Sequence, residues 1–202
     1  RRVQASELGF NQPSLNALAS TSTRDECLEY LFLAAQTSLH LQSFAADVIA
    51  FSQTPFGWTN YPRAFGTGSS MMPNKTNPDA MELLRGESCA ILAALPQAMM
   101  LLKGLPSGYN RDLQCIKPIV HNTVDRLATL LRMTTAFLEQ LQFDRDKLKA
   151  SLALGNLDAT LRMERLVAEG VPLRKAHATV AAELRAASAS APSDDLDCSA
   201  YQ

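Results

Sequence analysis

From Asp25 to Phe51 the chain carries neither glycine nor proline, and its apolar residues return at helical intervals. Leu28, Leu31, Phe32, Ala35, Leu39, Ala46 and Ile49 follow steps of three, four or seven, which predicts a single helix over the whole span. Thr23 or Ser22 stands where a cap is expected, and Asp25 and Glu26 suit the positive end of the helix dipole. A second long helix is predicted from Asn77-Pro78 to about Lys103, with Asn77 as cap, Pro78 at the first helical position, Pro96 as a kink and Gly104 as the stop. A third begins within 109–113 and reaches about Leu141. Its near-heptad stripe (Leu113, Ile116, Val120, Val124, Leu127, Leu131, Leu138, Leu141) suits antiparallel bundle packing. The run from Cys89 to Leu102 is apolar nearly all round and is expected to be buried on several sides.

Shorter helices are expected at about 144–153, 156–169 and 172–188. No stretch alternates as a strand should, so the class is all-α, built on three long helices. The domains expected are an irregular lead-in over 1–24, a central helical bundle over 25–153, a small C-terminal helical portion over 154–190 and a loose tail over 191–202. Within the bundle, residues 53–76 form a long polar loop punctuated by Pro55, Gly57, Pro62, Gly66, Gly68 and Pro73. A loop that long inside a domain is usually functional or disordered.

Charged residues make up 19% of the 202, below the usual quarter, so part of the surface is expected to be covered by a partner, most simply copies of the same chain. Nineteen basic and twenty acidic side chains leave a net charge of −1, with no basic excess to draw in nucleic acid. Cys27, Cys89, Cys115 and Cys198 are widely spaced, as are His40, His121 and His177, so no local zinc signature exists. Isolated thiols in apolar runs fit a reduced, cytoplasmic protein. Arg1 and Arg2 are not followed by an apolar run, and the longest uncharged stretch, Tyr30 to Ala46, holds too many polar groups for a membrane span.

The most informative segment is Gly66-Thr-Gly-Ser-Ser-Met-Met-Pro-Asn-Lys-Thr-Asn-Pro78. Gly66 and Gly68 open backbone conformations closed to other residues and make the segment mobile. Ser69 and Ser70 offer hydroxyls and amides, Lys75 adds a cation, and the segment feeds into a helix N-terminus, which attracts anions. Composition alone would equally describe a solvated linker. Residue order adds more: GSSMMPNKTNP resembles the signature loop of the fumarase/aspartase superfamily, G-S-S-x-M-P-x-K-x-N-P. Leu102-Lys-Gly-Leu-Pro-Ser-Gly-Tyr-Asn-Arg-Asp-Leu-Gln114 resembles the argininosuccinate lyase segment P-S-x-Y-N-(R/K)-D-L-Q. Pro13-Ser-Leu-Asn-Ala-Leu, Ser22-Thr-Arg-Asp25 and Gly170-Val-Pro-Leu-Arg-Lys-Ala-His177 are similar to further stretches of that family, so the resemblance covers about residues 1–180.

The resemblance implies a long antiparallel bundle that assembles as a homotetramer. It implies β-elimination of argininosuccinate to arginine and fumarate, without cofactor or metal. By position, Ser69 matches the general base and Lys75 the cation that steadies it and binds the carboxylate taking up charge. Glu82 matches the glutamate that orients a histidine from another subunit; alone it reads as a first-turn glutamate. Ser70, Asn77, Tyr109, Gln114 and Lys117 match substrate-binding positions, Gln114 and Lys117 sharing a helix face. His40, His121 and His177 have no partner at catalytic spacing and read as structural, and Arg24-Asp25 fits either a helix start or the site.

Asn74 and Thr76 stand where argininosuccinate lyases usually have Gln and Lys, and Ala19 where an aspartate is common. The family's T-x-x-H-x-Q histidine motif and its S-x-N-D-type segment do not occur in these 202 residues. The expectation is a fragment or shortened chain, inactive alone, that needs the N-terminal region in cis or in trans. Two alternatives stand beside it: another fumarate-releasing lyase, and a non-catalytic structural helical protein derived from the lyase.

Overall fold

The computed structural model describes residues 1–152 and 156–189. Two short helices, α1 (Arg2–Glu7) and α2 (Ala17–Ser22), precede the long α3 (Asp25–Ser52). The polar loop follows, with strand β1 (Thr59–Asn60), a 3-10 turn (Arg63–Phe65) and strands β2 (Thr67–Gly68) and β3 (Thr76–Asn77). Then come α4 (Asp79–Leu102), a 3-10 turn (Arg111–Cys115), α5 (Ile116–Leu138), β4 (Gln142–Phe143), α6 (Arg145–Leu152), α7 (Ala159–Ala168) and α8 (Leu173–Ala189). The chain divides into two compact units, the first spanning 1–144 and the second beginning at Arg145. The architecture is all-α, as the periodicity predicts.

Local chemistry corrects several boundaries. The lead-in over 1–24 is not wholly irregular, because the Asn16 side chain accepts from the amides of Leu18 (3.0 Å) and Ala19 (3.2 Å) and caps α2. Ser22 is therefore inside α2, its hydroxyl donating to the Leu18 carbonyl (2.9 Å), and neither it nor Thr23 caps α3. Arg24 holds that position, with no side-chain cap bond. Asn77 does not cap α4 either. It lies in β3, paired with Thr67, and Pro78 takes the capping position. The Thr67 hydroxyl donates to the Asp79 carboxylate, tying β2 to the first turn of α4. The third long helix opens as a 3-10 turn before α5; Pro118, third in α5, removes an amide that has no intrahelical partner at that position.

In the first unit α3, α4 and α5 pack as antiparallel neighbours. One end of the core joins Ala45 and Val48 of α3 to Met81 and Leu84 of α4 and Leu130 and Phe137 of α5. The other joins Leu31 to Ala94, Ala98 and Ile116. Phe137 is fully buried, with its ring centre 6.3 Å from Phe44, 5.2 Å from Tyr61 and 5.4 Å from Phe65. The buried face of α5 runs Ile116, Thr123, Leu130, Thr134, Phe137. Of the predicted stripe, Leu113 and Ile116 are buried and Val120, Leu127 and Leu141 pack against the core, while Val124, Leu131 and Leu138 remain 42–50% exposed. The apolar band on α5 is broader than the groove it fills, and α3 and α4 cover only the side nearer Leu130 and Phe137. The apolar half of α4 likewise presents Met99 and Met100 to the outside within a single chain. The Arg126–Glu87 ion pair between α5 and α4 is about half exposed on both sides and contributes little.

The polar loop is shaped by two small pairings. Thr59 and Asn60 pair with Phe143 and Gln142, and Thr67 and Gly68 pair with Asn77 and Thr76. The second pairing closes a hairpin around residues 69–75. In the second unit α7 and α8 form a helical hairpin over buried Ala176 and Val180, turned at Gly170, whose φ of +93° favours glycine. Arg162 of α7 pairs with Asp158 (3.2 Å) and with Glu183 of α8 (3.5 Å). The loose tail expected over 191–202 lies outside the described residues. Among the described residues no helix is long and apolar enough to cross a membrane.

Phe137→Ala removes the ring on which three aromatic side chains converge. A loss of about 3–5 kcal/mol is expected in urea unfolding, the range for a large aromatic deleted from a packed core. Gly66→Ala tests the hairpin, since a Cβ there would lie 2.7 Å from the Asn77 carbonyl oxygen and 3.0 Å from the Thr76 methyl. Backbone must shift to relieve that contact, at about 1–3 kcal/mol. Amide exchange at residues 67, 68, 76 and 77 is expected to accelerate while the core amides of α5 keep their protection.

Candidate active site

The hairpin presents Ser69 at its start and Lys75 at its end. The half-buried Ser69 Oγ accepts from the backbone amides of Met71 (3.3 Å) and Met72 (3.1 Å). Two amide dipoles thus point at the oxygen that would carry negative charge after deprotonation, as an alkoxide requires. The turn is held further by the Lys75 amide, which donates to the Met72 carbonyl (3.0 Å).

Past the turn, Lys75, Asn77 and Glu82 line one open cavity of about 690 Å³, together with Asn74 and the end of α3. Glu82 is exposed on the first turn of α4, and its amide donates to the Pro78 carbonyl (3.1 Å). Ser69 and Ser70 lie on the preceding turn, outside the residues lining this cavity. Tyr61, which the sequence pattern did not single out, stands behind this end. Burial pushes its phenol above the ordinary range, and the charges of Asp79 and Glu82 add to that, against opposing hydrogen bonds with the amides of Met81 and Ala80. Tyr61 therefore stays a neutral donor, its hydroxyl directed to the Phe65 carbonyl (3.3 Å).

The other expected binding residues gather elsewhere. Asn110 Nδ2 donates to the carbonyls of Pro106 (2.9 Å) and Gly108 (3.2 Å), folding the turn that carries Tyr109. Gln114 Nε2 donates to the Tyr109 hydroxyl (3.0 Å). Tyr109, Gln114 and Lys117 line a second cavity of about 370 Å³, with Arg24, Cys27 and His121. The three-residue step from Gln114 to Lys117, crossing from a 3-10 turn into α5, keeps both on one side. His121, four residues after Lys117 on α5, and Arg24, which the sequence left between a helix start and the site, join them here.

The two cavities sit at opposite ends of α4. Its 24 residues span about 36 Å at 1.5 Å per residue. One chain thus carries a serine-lysine-asparagine-glutamate group and a tyrosine-glutamine-lysine group, and does not bring them together. Among the described residues no group of three or more His, Cys, Asp or Glu side chains is placed to hold a metal ion.

Comparisons with known proteins agree with the loop signature. The family model described as lyase (Lyase_1) matches residues 1–93. The chain is 37% identical over 183 residues to the argininosuccinate lyase of Koribacter versatilis, covering 91% of this chain and 39% of that protein. It is 40% identical over 170 residues to that of Carboxydothermus hydrogenoformans, covering 84% and 37%. Among solved structures, EDDS lyase in complex with formate shares the fold, with a TM-score of 0.76 and 23% identity, over 86% of this chain and 35% of the other. The chain spans about two fifths of the length of the argininosuccinate lyases it matches. Signature loop, relatives and fold agree in one likeness: the chain is similar to argininosuccinate lyases over the two fifths of their length that it spans.

Proposed function

We propose that this chain forms part of an argininosuccinate lyase, releasing fumarate and arginine by β-elimination. The observation that carries the reading is Ser69 Oγ held under two loop amides, within a segment that also supplies Lys75 and Asn77. In the reaction an alkoxide at Ser69 takes the proton from the carbon next to a carboxylate. The electron pair moves onto that carboxylate, where Lys75 and Asn77 hold the extra charge. The C–N bond then breaks, the leaving guanidine takes a proton from an acid, and fumarate remains. A free serine hydroxyl is too weak an acid for the first step, so amide dipoles and a nearby cation supply the stabilisation.

The distance between the two cavities supports a site assembled from several chains. Tyr109, Gln114 and Lys117 of one copy would complete the loop end of another, and Glu82 would orient a histidine carried by a region beyond these residues. The uncovered faces of the long helices support the same reading. Phe32, Leu33 and Leu39 on α3, Met99 and Met100 on α4, and Val124, Leu131 and Leu138 on α5 are apolar and exposed in one chain. A homotetramer with a many-helix core would bury them.

A second reading, a lyase acting on a different succinyl adduct, is favoured by one observation. Asn74, where argininosuccinate lyases usually have Gln, lines the same cavity as Lys75. A panel of succinyl adducts offered to the full-length protein separates the two readings by which adduct yields fumarate. Under either of them, Ser69→Ala in the assembled protein is expected to lower kcat by about 10³-fold or more with KM little changed, as for loss of a group acting chiefly in the transition state. Fumarate absorbance is the readout. Retention of most of the activity would show that another group is the base.

A further inference from the structure

The geometry points to Arg24 as a further substrate-binding residue, which with Lys117 holds the carboxylate of the departing amino acid; this rests on the lyase reading above. Arg24 lies 93 residues before Lys117 in the chain, yet both line the same cavity, beside Tyr109 and Gln114. No carboxylate lines that cavity, and neither cation forms an ion pair among the described residues. Two permanent positive charges without a counter-charge, in a recess with an apolar floor of Leu113, Ile116 and Val120, call for an anionic group.

The guanidinium is also held in place. Arg24 Nη1 donates to the carbonyls of Thr23 (2.6 Å) and Thr21 (3.3 Å), on the turn that leads into α3. That anchorage uses one nitrogen and leaves Nε and Nη2 without a protein acceptor among the described residues. A planar fork fixed at one corner suits a carboxylate, whereas Lys117 adds a point charge. Tyr109 and Gln114, already joined to each other, supply neutral hydrogen-bonding groups beside it.

The end of the substrate follows from charge. Argininosuccinate has two carboxylates on the part that becomes fumarate and one on the part that becomes arginine. The serine loop, with Lys75 and Asn77, serves the first two. The Arg24–Lys117 cavity is left for the third. Arg24 then discriminates between amino acid leaving groups and amines that lack the carboxylate.

The test uses the full-length assembled protein, unsubstituted and as Arg24→Gln and Arg24→Lys. Inhibition of fumarate release is measured with arginine and with agmatine, which keeps the guanidine and lacks the carboxylate. Arg24→Gln is expected to weaken arginine about 10- to 100-fold and agmatine by no more than about twofold, the difference a hydrogen bond between charged groups makes. Arg24→Lys is expected to recover part of the preference, keeping the charge and losing the fork. Equal weakening of both ligands would mean that Arg24 only supports the fold, and overturns the proposal. Should Arg24→Gln not assemble, an unchanged arginine-to-agmatine ratio in Arg24→Lys overturns it equally. If the unsubstituted protein releases no fumarate from argininosuccinate, the lyase reading fails by itself. Calorimetry with the same two ligands then decides: a preference for arginine that disappears without Arg24 supports the carboxylate site, and no preference rejects it.

Discussion

The seam between α3 and α4 is narrow because its buried positions are small. Ala34, Ala35, Ser38 and Ala45 face Ser88, Ala94 and Ala98, with Leu31, Val48, Met81, Leu84 and Ile91 between them. Small side chains let two long helices approach closely, so several large apolar residues of either helix find no place in the seam. Those residues remain on the outer faces. Alanine and serine share the interior with Leu31, Met81, Leu84 and Ile91, while Phe32, Leu33, Leu39, Met99 and Met100 lie outside. The inward choice follows from helix separation, since Phe32 or Leu39 at the seam would force the helices apart. The outward choice then leaves contiguous apolar faces that water solvates poorly.

That seam also fixes where chemistry can occur. Helices packed along their length leave room for polar side chains only at their ends. The hairpin closes one end of α4 through Thr67 and Asp79, and the turn held by Asn110 closes the other. A rigid helix of 24 residues keeps those ends apart whatever the loops do. In the proposed lyase, binding groups placed at both ends serve one substrate across a boundary between chains. The packing that stabilises the subunit and the division of the site are two results of the same geometry.

Much of this was legible in the sequence, and the parts that were not have identifiable causes. Helix extents follow from local periodicity and from glycine and proline, so α3 was readable within a residue. Which side of a broad apolar band turns inward is not local. On α5 Val124 is more apolar than Thr123, yet Thr123 and Leu130 are buried while Val124 and Leu131 are not, and only the positions of α3 and α4 select between them. Asn77 failed as a cap for a similar reason: its pairing with Thr67 is a contact ten residues away that no propensity scale contains. The loop residues were legible because their order is distinctive. Arg24 fitted either a helix start or the site, and only the way α3 crosses the start of α5 brings it to Lys117, whereas His121 lies four residues beyond Lys117 on the same helix.

The charge pattern bears on how so nearly neutral a chain would serve the anionic substrate proposed for it. A net charge of −1 gives no long-range attraction worth considering. What counts is the local field, and that depends on which charges lack partners. Arg126 and Arg162 are matched by carboxylates, and their fields cancel within a few ångströms. Arg24 and Lys117 share a cavity that no carboxylate lines. Lys75 lies beside Asn77 at the mouth of a helix whose dipole adds to its charge, with Glu82 the only carboxylate on that cavity. These two recesses therefore hold cationic side chains that form no ion pair among the described residues. The proposed β-elimination, which gathers negative charge at one end of its substrate and releases an amino acid from the other, calls for a cation in each of these two recesses.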